Sequence, residues 1–465
     1  MERTAQNQIH DASLDLLSST GVAFHAEKAV HLFKSRGFKT DNNIIFFTAA
    51  QIQAALDSAP SEFIVHARDS TFDLRLGRQN APVLAPGYGA PFIVENKGER
   101  RKATINDYQL FCKLVQTSEV INFTGFMMGD PSDLSPETYH LDMLLNSILL
   151  CSKPFMGSPL TAQTAKDSIQ MAKMVFGNSP GPVMVSNINC MAPLQFAPEM
   201  AEGILIFSKA GQPMIITGGG IMGSTVPIRP VDLLIIQNAS VLAGICLSQL
   251  VNPGAPVIYG TAGSPMDMQT GAFYHGCPET NLIIKEGVGM ANFYGLPSRG
   301  GGALTDAHCL DYQAGYQSAL ALKSALDSQV SFILHACGIL STYMAMSFEK
   351  FLADEELCLH ILKGLQPLDV KENSIDLSTI KKVGVGGQFL THPTTFKRCR
   401  TEFISLPLAN RLAFDNWKAQ PVKSYRNKAV NALAGRLAEY QKPDIDSSLE
   451  KALVRFVKSR KKQIG

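Results

Sequence analysis

A TIM (β/α)8 barrel, an α/β fold, with an N-terminal α+β extension and C-terminal helices, is the fold class this sequence predicts. Two observations carry the expectation. Short apolar runs rich in Gly and small polar residues alternate with amphipathic stretches, and a strand start recurs about every 30–40 residues, the period of repeated βα units. No GxGxxG sits in a strand-to-helix turn with an acidic residue about 20 positions on, which counts against an open doubly wound sheet. With 465 residues, 45% of them hydrophobic and 18% charged, the chain has the apolar material for a large core.

The first part, 1–80, reads as the extension. Residues 9–17 and 27–35 have helical spacing, and Gly21 and Gly37 follow them as stop signals. Residues 44–48 are strand-like, and 49–58 are helical up to Pro60. Residues 63–67 and 72–76 are two further strands with Arg68-Asp69-Ser70 as their turn.

The barrel is expected over 81–400. Its strands fall in the runs 120–127, 154–160, 182–190, 213–219, 256–263, 297–303 and 330–338. The helices between them are expected at 106–117, 136–150, 162–176, 199–210, 231–251, 279–294 and 311–327. An eighth strand lies in either 83–94 or 382–389. The apolar run 233–251 contains Gln237, Asn238, Ser240, Ser248 and Gln249, so it reads as a buried helix rather than a membrane span. The last part, 401–465, carries amphipathic helices at 424–437 and 447–457.

Charge and cysteine usage narrow the function. Lys plus Arg number 42 and Asp plus Glu 40, a net charge of +2, so no strong field is present to hold a nucleic acid. The basic cluster Lys458-Ser-Arg-Lys-Lys462 reads as a solvated helix end. Nine Cys at long intervals, without a CxxC pair, argue against a disulfide framework or a zinc ribbon and for the cytoplasm. The N-terminus has the polar start of a chain without a secretory signal.

In a barrel the chemistry sits at the carboxyl ends of the strands. Those positions hold Tyr88, Phe126, Ser158, Asn187, Asn189, Thr217, Thr261, Met266, Arg299, Asp306, His308, His335 and Tyr343, a neutral-polar, aromatic and glycine-rich inventory without the acidic cluster of a hydrolytic metal site. The ten His form neither HExxH nor HxH, so no metal site is expected. His335 ends an otherwise apolar strand, as a ligand-facing residue or a core histidine hydrogen-bonded to backbone. Tyr88, Phe273 with Tyr274, and Tyr343 with Phe348 gather near these ends; two or three such rings around a pocket would hold a quaternary ammonium by cation–π attraction, whereas any single ring reads as packing. The runs Gly218-Gly219-Gly220, Gly300-Gly301-Gly302 and Gly384-Val-Gly-Gly387 allow close approach of a large flat ligand, or else make tight turns.

Several segments resemble the trimethylamine methyltransferase superfamily. They are the opening helix with Gly21-Val22, Ala59-Pro-Ser-Glu-Phe63 through Ala67-Arg-Asp69, and Tyr274–Glu279 after Met266-Asp-Met268. Leu310-Asp-Tyr-Gln-Ala-Gly315, Met346-Ser-Phe-Glu349 and Gly386-Gly-Gln-Phe-Leu390 complete the match in order along the chain. The resemblance implies a TIM barrel that passes a methyl group from a methylated amine to the cob(I)alamin of a separate corrinoid protein, with no tightly bound cofactor of its own. Founding members carry pyrrolysine. This chain has only standard residues, so it is similar to the non-pyrrolysine branch, whose members use glycine betaine, carnitine, proline betaine or γ-butyrobetaine. Glycine betaine, the smallest, is the first expectation. Tyr88, Tyr343 and Phe348 are then expected to face the trimethylammonium group, and His335 and Arg299 the carboxylate. Gly219, Gly301, Gly302, Asp306 and His308 are expected to face the corrinoid. No nucleic acid and no membrane enter this reading, and a homo-oligomer is compatible with it. A betaine-binding protein without catalysis is the alternative of another class.

Overall fold

Strand residues here are mostly β-branched or aromatic, in runs too short to stand alone, so they pair around a closed wall. The computed structural model describes residues 4–95, 98–178, 181–370 and 374–464. Seven parallel strands line up as Val83–Leu84, Phe332–Ile333, Ser298–Arg299, Val257–Thr261, Met214–Gly218, Met184–Asn189 and Phe155–Met156. The gap between the two ends is closed by residues 122–124. Asn122 N–H donates to Leu84 O at 3.1 Å, and Leu84 N–H donates to Asn122 Oδ1 at 2.7 Å. On the other side Thr124 N–H donates to Pro154 O at 2.8 Å, and Met156 N–H donates to Thr124 O at 3.1 Å. The wall is therefore an eight-position barrel in sequence order. The eighth strand is Val83–Leu84; residues 382–389 take in the end of a short helix, Leu377–Val383, and contribute no strand.

Each wall position is followed by a helix: Ile105–Thr117, Tyr139–Leu150, Ala162–Phe176, Pro198–Lys209, Pro230–Val251, Pro278–Phe293, Tyr312–Asp327 and Phe348–Gly364. The starts are capped by short polar side chains. Thr104, Thr161 and Asp311 each accept a backbone N–H of the first turn. The helix Pro230–Val251 is long and apolar enough to cross a membrane by composition, and 78% of its apolar window is buried inside the protein. It is the core helix expected from its interior polar residues. The eighth helix, Phe348–Gly364, is absent from the sequence expectation. It buries Glu349, Lys350, Asp354, Glu355 and Glu356, so its charges point inward and its pattern does not read as amphipathic.

The extension is built into the barrel. Its strand Val22–Phe24 pairs antiparallel with Ile44–Phe46 and parallel with Gln195–Phe196, which lies just before the fourth barrel helix. Phe24 stacks on Phe196 with centroids 4.8 Å apart. The helix Ala5–Ser19 lies on Pro230–Val251, where Asn238 Nδ2 donates to Ser13 Oγ at 2.9 Å. The barrel's last helix ends at Gly364. Beyond it, Leu377–Val383, Pro393–Glu402 and Phe414–Lys418 form an arm, and Tyr425–Ala438 returns to pack on Phe348–Gly364 and Ile105–Thr117. The final helix Ser447–Ile464 is clipped down by Arg460 on Asp167 at 2.9 Å and Lys461 on Asp142 at 2.5 Å. The basic cluster expected to be a solvated end thus includes two residues paired with acids of neighbouring helices.

Candidate active site

Paired residues of neighbouring strands share a face. Thr261 faces outward, its hydroxyl accepting from Gln237 Nε2 of the core helix at 2.9 Å, so the next residues of the pleat face the barrel interior. Register then places Asn189, Thr217, Gly260 and Arg299 side by side on that interior face. Thr217 Oγ1 donates to Asn187 Oδ1 at 3.1 Å, and Asn187 Nδ2 donates to Asn189 Oδ1 at 3.1 Å. Gly260 is obligatory there, because a Cβ would stand 2.3 Å from Thr217 Oγ1.

Arg299 is 6% exposed, yet it forms no ion pair with a carboxylate among the described residues. One Nη1 hydrogen reaches Thr261 O at 3.3 Å, and its buried Nε finds no protein partner. Burial pulls its pKa below the ordinary value, while Tyr343 and Tyr88 act in the opposite direction.

The wall of this space is aromatic. His335 follows the eighth strand with a positive φ of 66°, and Tyr88 N–H donates to its Nδ1 at 3.2 Å. Burial, Arg299 and His275 hold the His335 pKa well below its usual value, so the imidazole is neutral, and the acceptor role of Nδ1 assigns the proton to Nε2. Tyr343 lies between two imidazoles, its ring centroid 4.5 Å from that of His335 and 4.3 Å from that of His275. Burial lowers the His275 pKa to about 4 despite Asp306, and its Nδ1 has no partner. Burial pushes the Tyr343 hydroxyl up to about 12. Tyr139 joins from the second helix, its hydroxyl also raised to about 12 by burial and Asp130.

Tyr343 ends three successive residues of left-handed backbone, Ser341, Thr342 and Tyr343, with φ of 53°, 53° and 70°. Such a turn is costly for side-chain-bearing residues. The preceding loop holds it: Ser341 N–H donates to Ala307 O at 2.9 Å, Thr342 N–H to Thr305 O at 3.1 Å, and Thr342 Oγ1 to Asp306 Oδ1 at 2.8 Å. Asp306 also accepts the backbone N–H groups of His275 and Gly276 at 2.7 and 2.8 Å. Asp306 thereby fixes the two loops that carry His275 and Tyr343. His308 hydrogen-bonds Ser341 Oγ at 2.8 Å and buttresses the same turn.

Of the expected substrate residues, Tyr88, Arg299, His335 and Tyr343 come together. Phe348 does not; it stacks on Phe111 of the first helix, centroids 4.4 Å apart. Of the expected corrinoid-facing residues, Asp306 and His308 serve the loops just described. The close approach at Gly301 and Gly302 is to the chain itself: a Cβ at Gly301 would stand 2.4 Å from Ala325 Cβ, and one at Gly302 2.6 Å from the carbonyls of Leu334 and His335. Gly219 is partly exposed just past the fifth strand. In the loops after the sixth and eighth strands, Met268, Phe273 and Met344 expose apolar surface. Sequence reasoning missed His275 and Tyr139; the signal for His275 was its place between Tyr274 and Gly276, after the sixth strand. Among the described residues no three His, Cys, Asp or Glu gather to hold a metal.

The family model for trimethylamine methyltransferase matches residues 1–465. This chain belongs to the trimethylamine methyltransferase (MTTB) family. It is 38% identical to a glycine betaine methyltransferase of Desulfitobacterium hafniense, over 98% of this chain and 96% of the relative. It is 31% identical to a proline betaine:corrinoid methyltransferase of Eubacterium limosum, over 97% and 95%. A trimethylamine methyltransferase of D. hafniense stands at 26%, over 98% and 93%. A crystal structure of a hydroxylamine complex of MtmB shares the fold at a TM-score of 0.52 and 10% identity, covering 94% of this chain and 88% of that one. As a member of the MTTB family the chain is a methyltransferase, and the barrel and its closed wall are the frame of that enzyme.

Proposed function

We propose that this MTTB-family enzyme takes a methyl group from a carboxylated quaternary amine, glycine betaine first, and delivers it to the cob(I)alamin of a separate corrinoid protein. The observation that carries the reading is Arg299: a buried guanidinium without a carboxylate among the described residues, inside a ring of Tyr88, Tyr343 and two neutral histidines. A substrate carboxylate is the anion that satisfies it. Betaine relatives at 38% and 31% identity support the same class of donor.

The residues suit the chemistry. Arg299 and the Nε2–H of His335 hold the carboxylate, and the faces of Tyr88 and Tyr343 contact the methyl groups. A quaternary ammonium leaves as a neutral tertiary amine, so the site needs no proton donor. None is poised: both histidines are neutral near pH 7, and burial raises the tyrosines. The corrinoid, when its protein docks, supplies the cobalt nucleophile. The chain's contribution is to aim one N–CH3 at the mouth; orientation of this kind is worth roughly 7–11 kcal/mol for well-placed reactants. A weak aromatic cage is an advantage, because the nitrogen's charge fades in the transition state and a tight cage would stabilise the substrate instead.

The test is anaerobic incubation of the enzyme with cob(I)alamin, free or on a corrinoid protein, and glycine betaine, with dimethylglycine measured by mass spectrometry. Proline betaine, carnitine, γ-butyrobetaine and trimethylamine run in parallel. Dimethylglycine formation is expected. Turnover of trimethylamine alone, which has no carboxylate for Arg299, would sink the reading.

A further inference from the structure

From 363 to 428 Leu408 is the one buried residue among those described. The three helices of this stretch, Leu377–Val383, Pro393–Glu402 and Phe414–Lys418, bury nothing. They have 7, 10 and 5 residues, and isolated helices of such lengths are marginal in water without tertiary packing. Yet the stretch is apolar. More than half of the large hydrophobic side chains exposed among the described residues lie between Leu365 and Phe414. Leu368, Val385, Leu390, Phe396, Phe403 and Phe414 are each more than two-thirds exposed. Those six residues together present on the order of 1,000 Å² of surface, beside about 800 Å² per partner in a stable interface.

We infer that this arm is an interface with a second copy of the same chain. Three arguments favour a permanent twin over the corrinoid protein. The surface has the apolar character and size of an obligate interface, whereas a methyl acceptor must come and go between turnovers. The arm leaves from the C-terminal end of Phe348–Gly364, and that helix runs from the barrel mouth to the opposite face, so its root is remote from the site. Charge agrees as well. Residues 365–424 carry nine Lys and Arg against five Asp and Glu, while the whole chain carries 42 against 40, so the remaining body is slightly acidic. A basic, apolar arm therefore fits the body of a second copy. An apolar groove within the arm, about 310 Å³ and lined in part by Ile380, Phe389, Arg398 and Phe403, gives that contact a shaped seat.

The experiment is sedimentation of the full chain at micromolar concentration beside a triple variant, Leu390→Ser, Phe396→Ser and Phe403→Ser. Melting and amide exchange over 377–402 are followed on both. The wild type is expected to sediment as one discrete oligomer with the arm protected from exchange. The variant is expected to be monomeric, with the arm exchanging freely and the barrel melting unchanged. A monomeric wild type at tens of micromolar overturns the inference, as does an oligomer that survives the triple substitution. Association seen only after a corrinoid protein is added, and lost in the variant, assigns the arm to that partner and overturns it as well. The outcome does not depend on the substrate.

Discussion

Arg299 sits where a guanidinium is expensive: 6% exposed, its Nε without a partner. The long Nη1–H bond to Thr261 O and the two nearby tyrosines offset only part of that cost, so replacement separates binding from stability. Arg299→Met is expected to hold or raise the melting temperature, and to raise KM for glycine betaine by roughly 10–100-fold, the worth of hydrogen bonds to a charged group. A fall in melting temperature with KM unmoved would make Arg299 a structural residue. Asp306 behaves oppositely. Asp306→Ala strands the N–H groups of His275 and Gly276 and frees Thr342, and it is expected to cost about 1–3 kcal/mol in denaturant unfolding. Its kcat/KM falls too, because Tyr343 loses its support. His275 sets a pH dependence. Its pKa is about 4 in the fold against 6.5 when free, so between those values the unfolded chain binds the extra proton. That contribution to stability is complete above pH 6.5 and is lost as pH falls toward 4. The melting curves of His275→Asn and wild type are expected to diverge across that window and run parallel above it. Tyr88, Arg299, His335 and Tyr343 were legible because strand ends name the mouth of a barrel. His275 went unread, since a residue deep in a long loop shows no periodicity that aims it, and its place between Tyr274 and Gly276 was the one signal it carried.

At the scale of elements, the eighth helix holds the site together from behind. Lys350 Nζ donates to Ala303 O at 3.2 Å and pairs with Asp354 at 2.6 Å, while Asp354 Oδ2 accepts Gly338 N–H at 2.8 Å. One buried ion pair therefore ties the segment after Arg299 to the segment after His335. Lys350→Met alone leaves a buried carboxylate and is expected to cost about 3–5 kcal/mol. The double change with Asp354→Leu is expected to recover much of that loss in a double-mutant cycle. Full additivity would mean that the pair does not act as a unit. The same inward charges explain why the helix went unread: periodicity marks a helix when its apolar face is the buried one. Six of the seven other barrel helices obey that rule, Pro230–Val251 being buried nearly all round, and the bounds of all seven were close to those read from the sequence.

For the molecule as a whole, the period of strand starts was enough to read a barrel, and the seam was not legible. Residues 120–127 look like a strand, yet they touch the wall through a few hydrogen bonds, with an amide side chain standing in for part of the ladder. Asn122→Ala removes the acceptor of Leu84 N–H and is expected to destabilise the barrel by about 1–3 kcal/mol in urea unfolding. An unchanged midpoint would show that the seam closes without it. The arm was equally hidden, because its three short helices bury none of their described residues and so show no apolar face turned to a core.

The first strand carries a consequence for synthesis. Val22–Phe24 has its parallel partner at Gln195–Phe196, and the helix before it rests on Pro230–Val251. Ribosomes add about 5–20 residues per second. The opening segment therefore waits on the order of ten seconds or more for the surface that receives it. During that interval Phe24 is without Phe196, the ring it stacks on, and Ser13 of the opening helix is without Asn238. A nascent chain of this protein is thus a natural client for chaperones that bind early and let go late.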